Sequence, residues 1–131
     1  MKIDSSILDN LTSKAQASPR LRMNFDLRNS PEDHSQRMLN AIEPGSPEII
    51  HRHMKSSETI TVIRGHVQES YYDDEGVVQE VIDIVPGGPV VAISVPIGKW
   101  HSARAIESGT ILFTCKDGTY EPLCGGDMLI L

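Results

Sequence analysis

The chain has 131 residues, and 12 Lys+Arg against 18 Asp+Glu give it a formal charge of −6. That length suits one domain, and 39% hydrophobic with 23% charged residues is a globular balance that argues against disorder. The acidic excess argues against a nucleic-acid or anionic-membrane partner, no apolar run approaches the ~20 residues of a membrane span, and two cysteines cannot build a disulfide framework.

Asp4 stands where a signal peptide's apolar core would begin, so a cytoplasmic protein is expected. The same residue, or Ser5, can cap a helix over 5–16, where Ile7, Leu8 and Leu11 share one face. Ser18-Pro19 ends it, because the residue before a proline is pushed out of the α region. From Leu21 the pattern becomes short alternating stretches between turns. Residues 22–27 read as a half-buried strand, and 36–42 as strand or helix, stopped by Pro44-Gly45. Strands follow at 49–53, 58–70, 77–85, 90–95, 101–106 and 110–116, and the apolar end from Met128 to Leu131 reads as a closing strand. About eight strands at short, even intervals mean an all-β sandwich or barrel. Residues 1–20 then form a helix and lead-in, and 21–131 a single β domain.

Three of the five histidines fall into a pattern. His51 and His53 are two apart, which on a strand sends both imidazoles to one face. Four residues intervene before Glu58 opens the next strand, so an inward carboxylate can converge with the two rings. His101 follows the Pro96-Ile97-Gly98 turn, which can aim it back across the sheet. Three imidazoles and a carboxylate are a ligand set suited to one divalent transition metal per chain: Mn, Fe, Co, Ni, Cu or Zn.

The spacing Gly45-x5-His51-x-His53-x4-Glu58-x6-Gly65 resembles the first motif of the cupin superfamily throughout, and Pro96-x-Gly98-x-x-His101 resembles part of the second. Val90 and Ala105 stand where that second motif has a glycine and an asparagine. The resemblance implies a cupin-type jelly-roll β-barrel, a double-stranded β-helix, here with a short N-terminal helix. Ser18-Pro19-Arg20-Leu21-Arg22-x-Asn24 and Gln36-Arg37-x-Leu39-Asn40-Ala41-x-Glu43-Pro44-Gly45 look further like the small WbuC-type cupin metalloproteins. That likeness implies a metal-loaded barrel associated with bacterial surface-polysaccharide genes, without a settled reaction.

Arg22, Asn24, Gln36 and Asn40 are polar at alternating positions of two expected strands. They fit either a solvent-facing edge or a barrel lining for an anionic or polyhydroxylated small molecule. His34, His66 and Arg104 read as surface residues, Trp100 as a packing wedge and Cys115 as a buried core thiol. The functions that fit are three. A metal-dependent enzyme would isomerise or epimerise a sugar-derived or keto/hydroxy-acid metabolite, or carry dioxygen chemistry at Fe or Cu, with Glu58 the candidate catalytic residue. A carbohydrate-binding module without turnover and a structural-metal scaffold are the alternatives. The apolar tail on an edge-rich barrel suggests a homodimer.

Overall fold

In the computed structural model, which describes residues 1–129, Asp4 caps helix α1 (Ser5–Ala17). Its Oδ1 accepts from the Ile7 N–H at 3.1 Å, satisfying one of the orphan donors of the first turn. Leu8, Leu11 and Ala15 form the buried stripe of this helix. They pack on Leu39, Ala41 and Ile111, and burying each leucine contributes about 2 kcal/mol. A helix this short is held by that docking, not by its own propensity.

The rest is β: β1 (Arg22–Asp26), β2 (Ser35–Ile42), β3 (Ile50–His51), β4 (Glu58–Arg64), β5 (Val67–Tyr72), β6 (Val78–Ile84), β7 (Ala92–Val95), β8 (Trp100–Ala105), β9 (Thr110–Asp117) and β10 (Met128–Leu129). They make two antiparallel five-stranded sheets, ordered β1-β2-β9-β4-β7 and β10-β3-β8-β5-β6. The period-2 alternation separates the faces. On β2 and β9, Leu39, Ala41 and Ile111 meet the helix, while Ile42 and Leu112 point between the sheets. Ile60, Val62, Val67, Ile84, Val95 and Ala105 complete that inner core. Apolar residues thus plug the barrel's interior, leaving the inward positions nearer the other strand ends for polar groups.

Several sequence expectations are corrected. The stretch 58–70 is two strands, because Gly65 turns the chain at φ +83°. Of the two readings open for 36–42, strand is the one formed, since β2 pairs along its whole length with β9. The strand expected over 49–53 is only Ile50–His51, and ten strands replace about eight. Cys115 is half-buried, so it is no core thiol. Of the expected closing strand, Met128–Leu129 pairs with β3, and Ile130 and Leu131 lie outside the described residues.

Candidate metal centre

Two adjacent strands bring the first pair of histidines together. His51 on β3 lies directly opposite His101 on β8, with ring centroids 4.3 Å apart. His53 has left the strand, but its carbonyl accepts from the Gly98 N–H at 2.8 Å. Gly98 can make that approach because it sits at φ +78°. The Pro96-Ile97-Gly98 turn therefore fixes the His53 backbone and delivers His101 three residues later. Glu58 enters from the other sheet as the first residue of β4, its Oε2 3.9 Å from His53 Nε2.

One donor atom from each of His51, His53, Glu58 and His101 lies within 4.8 Å of the others. Donors on one ion about 2.1 Å away sit roughly 3 to 4 Å apart, so a contraction on the order of an ångström would close the cluster around it. Two rings are already oriented. His51 Nδ1 donates to the Ile49 carbonyl at 2.9 Å, and His101 Nδ1 donates to Glu69 Oε1 at 2.6 Å. Each bond puts the proton on Nδ1 and frees the Nε2 lone pair. His101 Nε2 is buried with no hydrogen-bond partner among the described residues. A buried nitrogen acceptor without a partner is costly, and a divalent cation on it would remove that cost. The donor set and the orphaned nitrogen both fit a metal.

Burial disfavours charge on every ring. It lowers His51 to about 4, with the neighbouring His101 adding to it, and His53 to about 3, with Lys116 adding to it. His101 is lowered by burial too, against the pull of Glu58. The imidazoles are neutral near pH 7 and available as ligands. Burial raises Glu58, and it raises Glu69 to about 8, with Glu48 adding to the latter. Glu48 in turn accepts from Ser102 Oγ at 2.9 Å, and Tyr72 bonds the same hydroxyl at 2.7 Å.

The cluster lines a cavity of about 530 Å³ whose walls also include Arg22, Asn24, Gln36 and Asn40. Their side chains are differently engaged. Arg22 donates to Ser46 Oγ at 2.8 Å and to the Pro47 carbonyl at 3.1 Å, bracing the loop before β3. Gln36 is buried and donates to the Gly118 carbonyl at 2.7 Å, while Asn40 donates to Thr114 Oγ1 at 3.2 Å. Asn24 is exposed and lies opposite Asn40 in register. His34 is exposed, and His66 is half-buried with its Nε2 2.7 Å from Asp83, so neither joins the cluster. Trp100 is buried, donates to Asp74 at 3.0 Å and carries the Arg52 guanidinium 4.4 Å above its ring. It ties the β5–β6 loop to the segment between His51 and His53.

Two site residues escaped the sequence reading. Glu69 is fully buried on β5 between the inward Val67 and Tyr71, and that parity was its signal. Lys116 lies opposite Glu58 in register and puts Nζ 3.4 Å from His53 Nδ1. Its signal was its two-residue step from Thr114 and four-residue step from Leu112 on β9.

No curated protein matches the sequence. Among solved structures the chain is similar to KdgF from Halomonas sp. at 16% identity, covering 79% of this chain and 84% of that one, with a TM-score of 0.60. It is similar to oxalate decarboxylase from Bacillus subtilis at 20% identity, over 84% of this chain and 27% of that one, TM-score 0.57. The capsular polysaccharide assembling protein CapF from Staphylococcus aureus matches at 17% identity, over 87% of this chain and 32% of that one, TM-score 0.65. The chain thus spans about a third or less of the latter two proteins. These likenesses show the fold, which is the cupin jelly roll. A family model described as a domain of unknown function matches residues 3–84, which carry His51, His53, Glu58 and Glu69, and by that match the chain belongs to the DUF6016 family.

Proposed function

We propose that His51, His53, Glu58 and His101 hold one divalent transition metal, and that the loaded cavity acts as an enzyme on a small sugar-derived or keto/hydroxy-acid metabolite. The observation that carries this reading is the buried, unpartnered His101 Nε2, in a ring held from behind by Glu69. The metal would polarise a substrate carbonyl as a Lewis acid, for isomerisation or epimerisation, or supply redox chemistry where it is iron or copper.

The chain's own groups do the rest. Glu69 and the Ile49 carbonyl fix the tautomers and directions of His101 and His51. Glu58, the only carboxylate of the four, is the candidate catalytic residue. Asn24, Asn40 and Gln36 offer amides to hydroxyl groups, and Arg22 offers a positive wall. The apolar plug beneath keeps the inner end of the cavity dry, which strengthens each polar contact. The WbuC-type resemblance supports a sugar-derived ligand, and the capsular polysaccharide role named for CapF agrees with it. Mn(II) centres are named for the Bacillus subtilis oxalate decarboxylase, which makes Mn a first ion to load.

The test is turnover of a panel of sugar phosphates and keto acids by Mn, Fe, Ni and Zn forms of the full chain. Metal-dependent conversion of any member supports the enzyme. A metal-loaded chain that binds a member and raises its melting temperature without consuming it replaces the enzyme with a binding protein.

A further inference from the structure

We infer that the cavity takes a small carboxylate and that Lys116 grips it on the His53 side of the metal position; this rests on the metal-centred reading above. Charge and donor geometry carry it. Among the charged residues that line the cavity, Arg37 pairs with Asp33 at 3.3 Å and Glu121 with Lys55 at 2.7 Å. Lys116 makes no ion pair among the described residues, and its one side-chain bond is the long one to His53 Nδ1, 3.4 Å.

An ammonium only donates, so in that bond His53 Nδ1 accepts. The ring's other nitrogen, Nε2, is the one 3.9 Å from the Glu58 carboxylate. When a metal takes the Nε2 lone pair, the neutral ring must carry its proton on Nδ1. Lys116 then loses its acceptor, and a donor-only group is left against the cavity without a partner. Loading the metal therefore creates the demand for an anion at this position.

The charge count agrees. Lys116, Arg20 and Arg22 line the cavity without an ion pair among the described residues, so a divalent ion held by Glu58 and the three rings leaves the cavity with net positive charge. Arg22 donates Nε and Nη2 to the neutral acceptors Ser46 Oγ and Pro47 O, so its charge adds positive potential to the wall. An anion small enough for about 530 Å³ is the complement.

Titration calorimetry on the full chain loaded with Mn(II) tests this, using pyruvate and glycolate against the uncharged hydroxyacetone. Wild type should bind a carboxylate probe about tenfold or more tighter than hydroxyacetone, as expected for one charge-assisted contact. Lys116→Met should lose that preference and Lys116→Arg keep part of it, with Mn content unchanged by elemental analysis. Equal binding of charged and uncharged probes, full pyruvate affinity in Lys116→Met, or no carboxylate binding by a chain holding one Mn would each overturn the inference. A wild-type chain that takes up no metal at all overturns the metal-centred reading instead, and this inference falls with it.

Discussion

His101 donates through Nδ1 to Glu69 Oε1 at 2.6 Å, and the two side chains are only 2% and 0% exposed. A carboxylate placed there has no solvent to satisfy it. Its second oxygen, Oε2, is buried with no partner among the described residues. Burying such a pair is expensive unless the imidazole serves something on its other side. Glu69 is best understood as the group that directs His101 and raises the basicity of its free nitrogen.

Glu69→Gln keeps the size and an acceptor but removes the charge. Metal affinity should fall by about 10- to 100-fold while the barrel stays folded, as for other buried partners of ligating histidines. Competition against a fluorescent chelator measures it, with circular dichroism as the control for folding. Unchanged affinity would mean that Glu69 only fills space.

The metal-free chain should have an unusual pH profile. His51 and His53 sit near 4 and 3 instead of 6.5, so the folded form binds fewer protons than the unfolded form below pH 6.5, and stability falls as the solution is acidified through that window. Glu69 runs the other way. Raised from 4.5 to about 8, it contributes stability while protonated and loses it as pH climbs through 8. The two slopes oppose each other between 4.5 and 6.5, and above 6.5 the Glu69 slope is left. Melting temperature in the presence of a chelator should therefore decline from pH 6.5 to 8, and one equivalent of metal should abolish the decline. A rise over that range without metal would contradict the assignment.

Glu43 offers a separate check away from the cavity. Burial pushes its carboxyl up, but donors from Ser108, the Gly109 N–H at 2.7 Å and Gln16 hold it below the usual range. Its contribution is present above pH 4.5 and lost on acidification. Glu43→Gln should thus lower the melting temperature at pH 7 and narrow its gap to wild type by pH 3. A constant gap across that range would mean the carboxylate's charge is not what matters.

Gly65 tests the barrel's geometry. At φ +83° a side chain is strained, and a Cβ would stand 2.7 Å from the Thr110 Cα, where only backbone movement can relieve it. Gly65→Ala should cost about 2 kcal/mol or more, measured by urea unfolding. A near-neutral result would mean that β4 and β9 separate easily at this point.

The cluster of His51, His53, Glu58 and His101 was legible because residue type and spacing coincide. The two-residue spacing of His51 and His53 suggests one face, although His53 is held there by the Gly98 N–H and not by a strand, and a turn precedes each delivery, Gly98 before His101 and the 54–57 stretch before Glu58. Glu69 and Lys116 were hidden for a physical reason. A charged residue inside a strand ordinarily marks the wet face, and only the apolar neighbours Val67 and Tyr71 or Leu112 reveal that these two point inward. The break at Gly65 was obscured by β-branched residues on both sides, which propensity joins into one strand. The shortness of β3 depends on long-range pairing with β8 and β10, which no local pattern encodes.

Elemental analysis of the purified full chain reads out whether His51, His53, Glu58 and His101 hold one ion. Wild type offered Mn, Fe, Ni or Zn should retain about one equivalent of at least one ion after desalting, and His51→Ala and His101→Ala should retain almost none while circular dichroism shows the barrel intact. A wild-type chain that holds no ion, or a stoichiometric ion in either variant, would contradict that assignment.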